Sequence, residues 1–242
     1  MSGQQHGITY ENFIMSAKYP GAMTKYRNPS AAVFDIDKDF DKRWGCPVSV
    51  KVTGNNTLCL ADSRAFVAVG EWLDRNDLDG YILEVGHWEQ EDHWKVYHRH
   101  ETFHISSEMH AEIVGSVTPE ECSHIHKGIA LNKFGKYHFD HARIWAKVEI
   151  EKLQPNLGIL TLNPKIDASG KVRRLQCSVT LTALRELVDH YPAWQDGIQY
   201  NRRETMTNVG SSGLPVKFIS LPRSLSGNLR KSDELDQLIA LV

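Results

Sequence analysis

Asp35, Ser49 and Lys51 are the residues of this chain whose types and spacing could do chemistry. They lie in residues 31–53, A-A-V-F-D-I-D-K-D-F-D-K-R-W-G-C-P-V-S-V-K-V-T, where two β-type runs flank a charged turn carrying Gly45 and Pro47. Side chains alternate faces along a strand, so Asp35 shares a face with Val33 and Asp37, and Ser49 shares one with Lys51. If the two runs pair, a carboxylate, a hydroxyl and an ammonium converge at one end of a small sheet. That group suits a magnesium ion and a phosphate. Magnesium is held by one or two carboxylates plus water and substrate phosphate. A lysine beside it steers an attacking water and offsets charge developing on the phosphate.

A carboxylate on one strand, followed on the next by an acid, any residue and a lysine, resembles the PD-(D/E)xK nuclease superfamily, which includes most Type II restriction endonucleases. Asp35 matches the first acid, Ser49 the second acidic position and Lys51 the lysine. Ser30, Ala31 and Phe34 stand where a proline before the acid is common, and Ser49 replaces the usual Glu or Asp. Some restriction enzymes of the superfamily read Ser-x-Lys and recover the missing carboxylate from the helix that follows. Here that helix is expected over residues 57–72, with Asp62 and Glu71 as its acids. Asp62, nearer the strand, is expected to hold metal together with Asp35. Superfamily members often carry a further acid on a helix before the catalytic strands, the place of Glu11 here.

The resemblance spans roughly residues 1–100. It implies an α/β fold with a restriction-endonuclease-like core, a mixed central β-sheet flanked by helices. It also implies a Mg2+ cofactor and sequence-specific hydrolysis of double-stranded DNA to leave a 5′-phosphate, as in a restriction-modification system. Two alternatives stay open: a repair or recombination nuclease with the same site, and a nuclease-fold DNA-binding protein without catalysis. Ser49 favours the latter, since it removes a carboxylate that the chemistry usually needs.

The elements that must position these residues read as follows. Residues 9–19 form a first helix with Phe13, Ile14 and Ala17 on its apolar side, ended by Pro20-Gly21. Residues 53–57, T-G-N-N-T, are a turn and cap cluster. Residues 80–88 and 93–105 form a hairpin, with His98, His100 and His104 on one strand face, read as polar or close to nucleic acid. A zinc site there would need further ligands, and Cys122, His124 and His126 are the nearest in sequence. Thr118, Pro119 and Glu121 start a helix with a capping box. Residues 138–153 fit either a helix or a strand. Residues 157–162 and 172–181 read as strands and 182–190 as an amphipathic helix. Residues 233–242 read as an amphipathic end, closing the core or a dimer interface.

Composition sets the outer bounds. The chain has 242 residues, 41% hydrophobic and 24% charged, and a net charge of -2, an ordinary globular balance. No apolar run approaches the ~20 residues that span a bilayer. The four cysteines form no CxxC pair and residues 1–6 show no secretory pattern, so a reducing cytoplasm is expected. Charge is uneven along the chain. Residues 54–150 carry nine Lys and Arg against sixteen Asp and Glu, whereas residues 165–231 carry eleven against five. A localised basic excess fits a phosphate-facing surface. The chain is therefore expected to divide into a nuclease core (1–150) and a basic, β-rich DNA-contacting extension (151–242) of the same compact domain. Lys171, Arg173, Arg174, Gln199, Asn201, Arg202, Arg203, Asn208 and Arg223 are its candidate DNA contacts, since Arg reads guanine and Asn or Gln reads adenine. A homodimer is expected, because two-fold proteins suit two-fold sites.

Overall fold

Three segments between residues 48 and 106 build one sheet. The computed structural model describes residues 5–22, 33–42, 44–91, 94–131, 139–166, 172–191, 203–206 and 216–219. Strand β1 (Val48–Thr53) runs parallel to β3 (Gly80–Glu91), which turns back antiparallel onto β4 (Trp94–Ser106). Two short strands, β7 (Arg203–Met206) and β8 (Val216–Ile219), pair with the far edge of β4. Parallel neighbours need a crossover. Here it is made by β2 (Thr57–Asp62), α2 (Ser63–Val67) and α3 (Val69–Arg75). The result is a mixed α/β fold with two small, mostly antiparallel sheets flanked by helices. Among the described residues no helix is long and apolar enough to cross a membrane.

The second sheet, in the order β2-β6-β5, is antiparallel and contains β5 (Thr161–Ile166) and β6 (Val172–Thr180). Residues 57–72 therefore do not form the single helix expected. Leu58 and Leu60 are buried while Thr57 and Cys59 are exposed, a period of two. Asp62 then caps α2 by accepting from the Arg64 amide at 3.1 Å, which fixes where helix begins. The ambiguous stretch resolves as helix α6 (Phe139–Leu153). Thr118 and Glu121 make the reciprocal capping box of α5 (Pro119–Leu131), with bonds of 2.8 and 3.2 Å.

The main sheet separates two cores. One face carries Tyr81, Leu83, Val85, Phe103 and Ile105, packed with the second sheet, α2, α4 (Ser107–Val114), α5 and α7 (Leu181–His190). Each fully buried aliphatic there contributes about 1.5–3 kcal/mol. Leu160, Leu175, Leu184 and Val188 belong to this core together with Leu58, Tyr81 and Phe103. The opposite face carries Val48, Val50 and Ile82 beneath α1 (Gln5–Lys18). Gly86 lets α1 come close: a Cβ there would run into the Tyr10 ring.

The histidine face of β4 is not a polar surface. His100 and His104 are buried on the α1 side, 0% and 4% exposed. Simple alternation would put Tyr97 on the other face. A bulge shifts the register between His87↔Arg99 and Trp88↔Tyr97, leaving residue 98 without a partner across the strand. The extra residue turns Tyr97 to the α1 side, where it stacks on Tyr10 at 4.4 Å.

Candidate functional site

The turn expected around Gly45 is organised by Asp41. Its buried carboxylate accepts from the amides of Trp44 and Cys46, both at 3.1 Å, and Gly45 takes a positive φ of 65°. This turn brings residues 33–37 back along β1 as an extended segment joined by one bridge, Ile36↔Val48, rather than by a full strand pair.

The bridge is enough to set Asp35. Its Oδ2 accepts from the Val50 amide at 2.7 Å, lies 3.3 Å from Ser49 Oγ, and is 3.5 Å from Lys51 Nζ. The Asp35 and Lys51 side chains are 19% and 18% exposed, so the pair is partly shielded at the β1 edge. Ser49 engages the extended segment as well. Its single proton is best placed on the Val33 carbonyl at 2.8 Å, tying the extended segment to β1. What Ser49 still offers is lone pairs, not a donor.

Glu11 joins from the other side of the β1 edge, on α1. Burial, then the charge of Asp35, push its carboxyl up to about 7, with Lys51 acting the other way. Its docking is set by its neighbour. Tyr10 lies 2.5 Å from Nδ1 of His100, and His100 Nε2 contacts the buried carboxylate of Glu84. Glu84 also accepts from Tyr19 at 2.5 Å and Thr102 at 2.7 Å and pairs with Lys18 at 2.8 Å. This network beneath α1 was not legible as a site in the sequence; the only signal was a Glu and a His on adjacent strands.

Asp62 and Glu71 do not join the group. Asp62 sits at the end of β2 with both oxygens on Arg64, at 2.8 and 3.0 Å. Glu71 is exposed on α3. The residues brought into contact are thus Asp35, Ser49 and Lys51, with Glu11 within electrostatic range of Asp35 and Lys51.

This donor set is sparse. Among the described residues no three His, Cys, Asp or Glu side chains gather as a metal site. Magnesium asks for less: one or two carboxylates, with water and substrate phosphate filling the rest. Asp35 Oδ1 carries none of the bonds described, and the Glu11 carboxyl lies within electrostatic range of it. The residues fit the ion.

Of the expected DNA contacts, Arg174 is exposed on β6. Arg173 and Arg203 lie in β6 and β7 by backbone alone. Lys171, Gln199, Asn201, Arg202, Asn208 and Arg223 lie outside the described residues, as does the expected amphipathic end at 233–242. A hollow of about 450 Å3 lies beside the site, lined by Phe34, Pro47, Ala65, Ala68 and Trp72 among others, with Phe34 and Trp72 rings 5.2 Å apart. No family model, curated protein or solved structure matches this chain.

Proposed function

We propose that the chain is a magnesium-dependent endonuclease acting on double-stranded DNA, with a restriction-endonuclease-like core and a sequence-specific mode of cutting. One observation carries the reading. A carboxylate and an ammonium from adjoining extended segments, Asp35 and Lys51, meet at 3.5 Å with a second acid, Glu11, in electrostatic range. Magnesium, when bound, supplies charge neutralisation at the phosphate and a more acidic water. Asp35 and Glu11 would hold it. Lys51 orients the attacking water and offsets the growing negative charge. Water oxygen bonds to phosphorus, the bond to the 3′-oxygen breaks, and the proton passes to that leaving oxygen, giving a 5′-phosphate end. Ser49 and the Val50 amide keep Asp35 in register.

Digestion of a plasmid of known sequence, with magnesium or with EDTA, tests this directly. Discrete magnesium-dependent bands are expected. A smear would point instead to a repair or recombination nuclease. Binding that ignores magnesium, without nicking over hours, would leave a DNA-binding protein that has lost catalysis, and would sink the enzyme reading. A homodimer cutting a two-fold site follows from the same proposal.

Glu11 supplies a test that does not depend on activity. Between its ordinary value of 4.5 and about 7, the folded chain holds a proton that the unfolded chain has lost. Stability of the metal-free protein should therefore fall as pH rises through that window. Magnesium must displace this proton, so its stabilising effect should grow from pH 6 to 8. Glu11→Gln should flatten both trends in thermal melts. Identical pH slopes in variant and wild type would remove Glu11 from the site.

A further inference from the structure

The extended segment that presents Asp35 to Lys51 also walls the hollow of about 450 Å3. Val33, Phe34 and Ile36 line it from that segment, and Ala65, Ala68 and Trp72 line it from the run of α2 and α3. Its size is that of a small-molecule site, about 300–1,000 Å3, and such sites are mostly apolar with a few placed polar groups. Residues 65, 68 and 72 are spaced as one helical face, and two of the three are alanine, which leaves room above it.

The walls are aromatic and braced. The Phe34 ring packs on Trp72 at 5.2 Å and on buried Tyr81 at 5.4 Å. Tyr81 is itself tied to His110, with its hydroxyl 3.1 Å from Nδ1. Trp72 is 36% exposed, so its ring offers area to an incoming planar group.

The polar lining is oriented as well. Lys38 and Arg75 are both exposed, and neither pairs with an acid among the described residues. Arg75 Nε donates to the Glu71 carbonyl at 3.1 Å, which anchors the guanidinium and leaves its terminal N–H groups to a ligand. Asn76 Nδ2 donates to the Trp72 carbonyl at 2.7 Å, which leaves the amide oxygen as an acceptor. Asp37 adds a carboxylate, which holds the Asp39 amide at 3.1 Å and has lone pairs to spare.

Each feature narrows the ligand. An open indole selects a planar ring. Acceptors at Asp37 and Asn76 select a ring that carries N–H donors. A guanidinium and an ammonium without acid partners select a phosphate. We propose that this hollow binds an amino-bearing nucleobase with its attached phosphate, the ring on Trp72 and the phosphate at Arg75 and Lys38. Asp35 is not among the lining residues, so the site is separate from the metal-binding group and does not rest on the function put forward above.

Titration of the full chain with AMP in EDTA, read by calorimetry and by thermal melts, tests it. Binding that raises the melting temperature is expected. Trp72→Leu should weaken it about 5- to 150-fold, the range for one lost base stack. Arg75→Gln should weaken AMP about 5- to 20-fold and leave adenosine unchanged, since only AMP carries the phosphate. The ligand-free melt identifies a variant that fails to fold. Arg75, exposed and bonded only to a helix carbonyl among the described contacts, keeps the test decisive if Trp72→Leu is such a variant. A single-stranded oligonucleotide that displaces AMP would assign the hollow to a base of a nucleic-acid strand, and one that leaves AMP bound would assign it to free nucleotide. No binding at millimolar AMP would overturn the proposal. So would an equal melting rise with inorganic phosphate alone, or AMP affinity unchanged in both variants. None of these results depends on DNA cleavage, so the nuclease reading stands or falls apart from them.

Discussion

Lys51→Ala is expected to lower magnesium-dependent plasmid cleavage by about 10²- to 10⁴-fold, the range seen when a positioned proton-transfer or charge-stabilising group is removed. Fold and DNA binding should survive. The Lys51 side chain is 18% exposed and pairs only with Asp35 at 3.5 Å among the described contacts. Asp35 keeps the Val50 amide at 2.7 Å without it. The melting temperature should therefore stay near that of the wild type while the rate collapses. Lys51→Arg sharpens the result, because arginine keeps the charge but does not give up a proton at working pH. Recovery of most activity in Lys51→Arg would assign an electrostatic role; continued loss would assign a proton-handling one. Wild-type cleavage by Lys51→Ala would end the site assignment altogether.

The parts of this site that could be read in advance share a property: they depend on local order. Strand alternation placed Ser49 and Lys51 on one face, and the 41–47 turn led the 33–37 segment back along β1. Asp35 reached its place through one bridge and an amide hydrogen bond, so a single short-range device was sufficient. The acids beyond Asp35 depend on longer-range contacts. Asp62 is near in sequence, but a caps-and-pairs role on α2 takes both its oxygens. Glu11 lies 24 or more residues from the other site residues. It arrives only because α1 docks across the sheet, a tertiary event that no local pattern encodes. The bulge in β4 is similar. It turns Tyr97 to the α1 side, and alternation alone predicts the wrong face. Arg185 reaches Glu101 only because α7 packs over a strand 84 residues away in sequence.

That docking device makes the second large prediction. Glu84→Gln is expected to lower the melting temperature by roughly 6–20 °C, since breaking one side of a buried ion pair costs about 3–5 kcal/mol and each kcal/mol is worth about 2–4 °C at this size. Lys18, 25% exposed on its side chain, can turn to water, but His100 is fully buried and cannot. Burial alone would raise the Glu84 carboxyl; the bonds and charges of His100 and Lys18 outweigh it and hold it down to about 2. A depressed acid stabilises fully above its ordinary value of 4.5, and that contribution is lost as pH falls toward about 2. The wild type should therefore lose stability across that acid window, and Glu84→Gln should lose less. Glu71→Gln, at an exposed acid on α3, serves as the control with no expected change. Because Tyr10 and Glu11 are consecutive on α1, loosening this anchor should also let Glu11 relax toward an ordinary carboxyl. Its stability slope between pH 4.5 and about 7 should shrink in Glu84→Gln although that residue never touches it. A variant melting within about 2 °C of wild type, with both pH limbs intact, would show that α1 is held by its apolar face alone and that Glu11 needs no polar anchor.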